Sequence, residues 1–323
     1  MIKFNNNGLK FLFLLIVSLV FIQAGCTCSS DSGGQNQGKT LKSLNLAIPS
    51  DITTIDPALS TDVNSGQILS KIYEKLLNFD DNLNLIPDLA ETFEVSADCT
   101  EFKFILKKNV KFSDGETVLT SKTVKESFER VINPKTTSPK ANIFDKLVGY
   151  EEFMTGKADN VTGISISGEY EVKLKIKQPF APFLFNLTMV AASIVSVHGT
   201  DILGTGPFLI SQKSNGAKMV LKKNANYYQA DKVFIDEIIY KIIHDEKTQI
   251  SEFQIGNLDI LNLSTVNVKN FLSANSSKFN IHKQPKLNVY YIAFNAGKSI
   301  FSEKVRKAMN YAINKEEIIK ALM

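Results

Sequence analysis

Ile86-Pro-Asp-Leu-Ala-Glu-Thr-Phe-Glu-Val95 and Phe102-Lys-Phe-Ile-Leu-Lys-Lys-Asn-Val-Lys-Phe-Ser-Asp-Gly115 decide the fold. Thr92 to Ser96 alternates apolar and polar residues, and so do Phe102, Phe104 and Leu106. This is the period of a strand with one buried face. Ala97-Asp98-Cys99 makes the turn between the two strands, and Ser113-Asp114-Gly115 makes a second turn. Thr120 then caps a predicted helix whose Val124, Phe128 and Val131 recur at i, i+4 and i+7.

The same grammar extends in both directions. Upstream, Leu44, Leu46 and Ile48 alternate as a strand, and Ile68, Leu69, Ile72, Leu76 and Leu77 predict one apolar face of a helix. Downstream, Ile164 and Ile166 pair with Val172, Leu174 and Ile176 around Gly168-Glu169. Phe208/Ile210 and Met219/Leu221 flank the hairpin signal Asn215-Gly216. Ile238, Tyr240 and Ile242 predict a strand, Gln249 to Gln254 a helix, Tyr290 to Phe294 a strand, and Ser302 to Met323 a final helix. The chain is mixed α/β, with no repeat at a fixed period.

Residues 1–40 are of another kind. Lys3 and Lys10 precede or interrupt an apolar run, Leu9 to Ile22, which ends in Gln23-Ala24-Gly25-Cys26. The run is short for a transmembrane helix and reads as an export signal. It resembles a bacterial lipoprotein leader, which implies lipidation of Cys26 as the mature N-terminus. Gln23 stands where that pattern has Leu, and the alternative is an ordinary secretory peptide cut near Ala24. Either way the mature chain is expected to be exported. Cys28 to Thr40, rich in Ser, Gly, Gln and Asn, reads as a flexible tether.

Composition removes several classes of function. The net charge is +4, and without Lys3 and Lys10 it falls to +2. No basic cluster with interleaved aromatics appears, so nucleic acid is not an expected partner. Mean hydropathy is −0.03, that of a soluble globular protein. Of the cysteines Cys26, Cys28 and Cys99, only the last two remain to pair if Cys26 carries lipid, and their contexts make a structural disulfide doubtful. About three hundred mature residues exceed one compact core, so at least two lobes are expected.

Two metal or phosphate patterns are decoys. Gly33 to Thr40 satisfies G-x-x-x-x-G-K-[ST], but it lies in the tether, without the preceding strand and following helix that aim amides at phosphate. Asp80, Asn82, Asn84 and Glu91 are spaced like a calcium loop, but Leu85 occupies its glycine position. No metal site is expected. His198, His244 and His282 are far apart, neither H-E-x-x-H nor G-x-S-x-G occurs, and Cys99 has no nearby histidine, so catalysis and a cofactor are not expected.

Several blocks then combine into a resemblance. Leu44 to Ile48 leading to Ile55-Asp56-Pro57, Tyr73-Glu74-Lys75-Leu76-Leu77, the opening stretch, Val124 to Arg130, Gly204-Thr205-Gly206-Pro207-Phe208, Asn224 to Tyr228, Gly256 to Asp259 and Val305 to Ile313 occur in a shared order. In that order they resemble the bacterial extracellular solute-binding proteins of family 5, which bind peptides for ABC importers. The resemblance covers essentially the whole mature chain. Tyr228 stands where the family has Trp. Full-length members run to roughly five hundred residues, beyond the usual size of one domain.

The resemblance implies a two-lobed periplasmic-binding-protein (class II) α/β fold, with an inserted subdomain in the first lobe and the second lobe mostly absent. The expected layout is a leader at 1–25, a tether at 26–40, lobe I at 41–57 and 200–285, an inserted subdomain at 58–199, and the start of lobe II at 286–323. Lobes closing on a cleft exclude water, and a peptide held through its backbone permits broad specificity. The implied ligand-facing residues are Asp51, Ile52 and Thr53, then Asn262, Leu263 and Ser264, then Tyr290 and Tyr291. Each has a bland alternative: Asp51 capping a turn, Asn262 serving only as a loop residue, the tyrosines in a core. The implied function is a lipid-anchored substrate-binding protein that captures oligopeptides and delivers them to permease subunits. The alternatives are a degenerate receptor kept as a surface scaffold, or a binder of nickel, haem or sugar on the same fold. With one lobe incomplete, weak peptide binding and association through an exposed apolar face are expected.

Overall fold

The computed structural model describes residues 41–275, 278–283 and 291–322. Cys26 and the Gly33 to Thr40 pattern lie outside them, as does Tyr290. The strands are β1 (Ser43–Ile48), β2 (Leu77–Phe79), β3 (Leu85–Pro87), β4 (Ala90–Val95), β5 (Glu101–Leu106), β6 (Ile164–Ile166) and β7 (Glu171–Lys175). They continue with β8 (Ser196–His198), β9 (Asp201–Leu203), β10 (Phe208–Ser214), β11 (Lys218–Lys223) and β12 (Glu237–Ile242).

One four-stranded sheet has the order β1-β12-β11-β10, with β1 and β12 parallel and the other pairs antiparallel. A second, wholly antiparallel, has the order β4-β5-β7-β6. The β4–β5 hairpin turns at Ala97-Asp98-Cys99, where Cys99 adopts a left-handed φ of 55°. The β2–β3 hairpin uses the decoy calcium residues internally. Asp80 Oδ1 accepts from the amides of Asn82 and Asn84, and Oδ2 accepts from Asn84 Nδ2. Its carboxylate serves as a turn former.

Two cores correspond to the two sheets. The first joins Phe102, Phe104, Leu106, Val172 and Leu174 to Val124, Phe128 and Val131 of the helix Ser121–Ile132. Phe128 and Phe144 pack there with centroids 4.8 Å apart. The helix begins with a reciprocal cap between Thr120 and Thr123. The second core contains Ile48, Ile52, Ile68, Leu69, Ile72, Tyr73, Met219, Leu221, Ile238 and Tyr240.

Three elements depart from the sequence reading. The helix expected through Leu77 stops at Leu69, and Leu77 opens β2. Residues 70–76 leave the helix because their backbone is claimed elsewhere: Lys75 O accepts from Leu89, Glu74 O from Ile194, and Ile72 O from Gly206. Ile72 and Leu76 are both buried, but in different cores. The expected final helix is two helices, Glu303–Ala312 and Lys315–Leu322. Asn314 divides them, its Oδ1 accepting from Glu317 N as an N-cap does. The expected strand through Phe294 has no regular structure over the described residues 291–294.

Candidate functional site at the carboxyl ends of the parallel strands

Three segments run in parallel across one edge of the first sheet. β1 pairs with β12 from Ser43↔Glu237 to Ile48↔Ile242. On its other side β1 meets a parallel bridge, Leu46↔Ile260. Asp259 anchors that edge by accepting from Asn45 N and Asn45 Nδ2 and by donating its own amide to Asn45 O. All three segments therefore emerge at the same end. The loops leaving them are 49–54, 243–246 and 261–264, and in α/β sheets ligands bind beyond such carboxyl ends.

The first loop is fastened from several sides. Asp51 Oδ1 accepts from Ile52 N at 2.9 Å and Oδ2 from Gly216 N at 3.0 Å, tying the loop to the β10–β11 turn. Ile52 is buried, so its side chain belongs to the second core. Thr53 is exposed; its hydroxyl donates to Asp62 Oδ2 at 2.7 Å and its amide to Ser65 Oγ at 3.0 Å. Asp62 is also the N-cap of the helix Val63–Leu69, through Ser65 N. Burial works against its charge, but hydrogen bonds from Ser65 and Thr53 outweigh that and hold its pKa below the usual carboxylate value. His244 Nδ1 lies 2.7 Å from Pro49 O, closing the first loop against the second.

The third loop is held by a carboxylate from the second. Glu246 starts the helix Glu246–Gln254 and accepts from Ser264 N at 2.6 Å, Ser264 Oγ at 2.7 Å and Asn267 Nδ2 at 2.6 Å. Desolvation opposes its ionisation, yet these donors prevail and lower its pKa. Asn262 is exposed and Leu263 half-buried beside it.

Of the residues expected to face ligand, Asp51 to Thr53 and Asn262 to Ser264 thus stand at one end of one sheet. Tyr291 is 80% exposed and makes no hydrogen bond with a described residue. Asp62 and Glu246 escape the sequence reading, and His244 enters it only as an isolated histidine. Asp62 carried a signal, an aspartate just before a helix, whereas Glu246 carried none because its partner lies 18 residues away. Such a rim offers polar groups already fixed in position, which lowers the ordering cost of holding a ligand. Among the described residues no group of three His, Cys, Asp or Glu side chains is placed to hold a metal.

A mixed α/β architecture with fastened loops at the ends of its parallel strands places fixed polar groups where such sheets take ligands. The chain belongs to the bacterial extracellular solute-binding proteins, family 5 Middle, whose model matches residues 84–323. It is 28% identical over 293 residues to the probable D,D-dipeptide-binding periplasmic protein DdpA of Escherichia coli (strain K12), covering 84% of this chain and 53% of that one. It is 26% identical over 309 residues to a dipeptide-binding protein of Lactococcus lactis subsp. cremoris (strain MG1363), covering 87% and 56%. The chain thus spans about half the length of these relatives. Among solved structures it resembles the pheromone receptor PrgZ, with a TM-score of 0.70 at 23% identity over 88% of this chain and 59% of that one. It also resembles the periplasmic murein tripeptide binding protein MppA, at 0.67 and 21% over 73% and 48%. Both likenesses show the two-lobed periplasmic peptide-binding fold. The family is one of extracellular solute-binding proteins, so membership implies export. Among the described residues no helix is long and apolar enough to cross a membrane.

Proposed function

We propose that this chain captures short peptides at the carboxyl ends of β1 and β12 and presents them to the permease of an ABC importer. Asp51 to Thr53 and Asn262 to Ser264 form one wall of that site, and Tyr290 and Tyr291 border it. A lipid on Cys26 holds the protein at the membrane. The observation that carries this reading is the convergence of the three parallel segments on one rim, in a family whose named relatives bind dipeptides. A peptide lying there is recognised mainly through its main chain, which every peptide shares.

The test is photo-crosslinking with tri- to pentapeptides carrying a diazirine residue, at millimolar concentration so that weak occupancy is captured. Adducts are expected within 49–54 and 261–264, with competition by unlabelled peptide. Adducts confined to other surfaces would remove the site, and the absence of any competable adduct would remove the peptide reading.

A further inference from the structure

Glu74 sits where the two cores meet. Tyr73, before it, belongs to the second core, and Leu76, just after it, to the first. Its side chain is almost wholly buried, at 6% exposure. Oε1 accepts from Tyr227 OH at 3.2 Å and Tyr228 OH at 3.0 Å, two residues that follow β11 of the first sheet. Its main-chain carbonyl accepts from Ile194 N, on a segment of the first core. Tyr228 itself packs against the first core, so it is the crossing segment, with Tyr73 in the second core and Leu76 in the first, that places Glu74 at their junction.

The other carboxyl oxygen has no partner. Oε2 is buried without a hydrogen bond, and so is Thr205 Oγ1, although the Thr205 hydroxyl is near enough to act on the carboxyl. Charged groups converge from every side. Asp88, from the loop after β3, is a second acid, half-buried, whose Oδ2 accepts from Lys75 N. Lys75 is buried beside Glu74 on its own segment. Lys107, at the end of β5, turns its ammonium to Tyr228, 3.3 Å from the hydroxyl and 5.2 Å from the ring centre. Among the described residues no ammonium lies within ion-pair distance of Glu74. A buried carboxylate with one bare oxygen, facing a second acid, is costly. One proton on Oε2 removes the buried charge and its repulsion from Asp88, against the hydrogen bond that the Thr205 hydroxyl offers the ionised form.

We propose that Glu74 is a proton-operated latch between the two cores, closed when the carboxyl is neutral and loosened when it ionises. Its titration falls in the physiological range. Burial, then the charge of Asp88, pushes its pKa up from 4.5 to about 7, against the opposing hydrogen bonds of Thr205, Tyr228 and Tyr227. Because the folded value lies above the unfolded one, the latch stabilises fully below pH 4.5 and is lost as pH rises through about 7. This device is independent of the ligand.

Glu74→Gln in the full chain fixes the neutral form. In urea titrations from pH 4 to pH 8, the unfolding constant of the natural protein should rise relative to that of the variant, by up to tenfold per pH unit and roughly a hundredfold in all. Amide exchange of Ile194 and Gly206, corrected for its intrinsic rise with pH, should accelerate in the natural protein and not in the variant. Superimposable pH profiles, or unchanged protection of those amides, would overturn the latch. Should Glu74→Gln not fold, the carbon-13 titration of the Glu74 carboxyl in the natural protein and in Thr205→Val decides. It should move upward in Thr205→Val, which lacks the opposing hydroxyl. A Glu74 carboxyl that titrates at an ordinary glutamate pH would sink the proposal.

Discussion

Arg130 grips Asp56 with both guanidinium nitrogens, Nη1 lying 3.0 Å from Oδ1 and Nη2 bonding Oδ2. Asp56 lies just beyond the first site loop and also caps the turn Pro57–Leu59 through Ala58 N. Arg130 belongs to the helix Ser121–Ile132, which packs in the first core. The pair therefore spans 74 residues and joins the base of the candidate site to the neighbouring core. Both side chains are mostly buried, at 22% and 13% exposure. Arg130→Met should cost about 2–3 kcal/mol, less than a fully buried pair because some solvent screening remains. Adding Asp56→Asn should recover part of that loss in a double-mutant cycle read by urea unfolding. Strict additivity of the two would show that the pair contributes nothing.

Gly206 lies under the main chain of Ile72. A Cβ there would come 2.6 Å from both the carbonyl carbon and oxygen of Ile72 and 2.7 Å from Lys71 O. Backbone cannot swing aside as a side chain can. Gly206→Ala should destabilise by about 3 kcal/mol or more and lower the melting temperature by several degrees. A melting temperature within a degree of the natural protein would contradict the close approach.

Glu246 should make the third loop sensitive to acid. Its folded pKa lies below the ordinary glutamate value, so its contribution is present above about pH 4.5 and disappears as pH falls through the folded pKa. Glu246→Gln keeps the size but weakens the acceptor. Protection of the Ser264 amide should drop roughly tenfold at pH 6 in this variant, the equivalent of one charge-assisted hydrogen bond. At low pH the two proteins should converge, and protection equal at both pH values would argue that the loop is held by other means.

Cys26→Ser tests the anchor. The small residues Ala24 and Gly25 ending the apolar run motivate it. The variant should lose the mass of the lipid and leave the membrane fraction, or remain uncleaved. Unchanged mass and unchanged retention would return the leader to an ordinary secretory peptide.

Strands β1 and β12 and the hairpins β4–β5, β6–β7 and β10–β11 are legible because alternation and turn residues agree there, whereas the short pairs β2–β3 and β8–β9 carry no such pattern. The segment 70–76 departs from its pattern for a physical reason. Its apolar spacing fits one helical face, but Ile72 and Leu76 are buried in separate cores, and periodicity does not say which core a residue enters. The stretch from Ser302 onward reads as one long helix because Asn314, an asparagine inside a helical pattern, is a weak signal until its cap to Glu317 is seen. For the candidate site, residues 51–53 and 262–264 follow from the resemblance alone. Their common placement depends on Leu46 meeting Ile260, a pairing across more than two hundred residues that no local pattern announces.

The edge strand β10 has a further role in this arrangement. Its pairing with β11 steps from Ile210↔Leu221 to Gln212↔Val220, leaving Ser211 as one extra residue. That residue sets how far along the hairpin the Asn215-Gly216 turn falls, and hence whether the Gly216 amide reaches Asp51. Strand length here works as a ruler. Removing Ser211 should straighten the edge or shift the turn by one residue, exchanging the faces of Gln212 to Ser214. The amide of Gly216 would then lose its protection from exchange while the distant sheet β4-β5-β7-β6 keeps its own. An insertion or deletion in an outer strand that touches no ligand can thus retune the rim from behind.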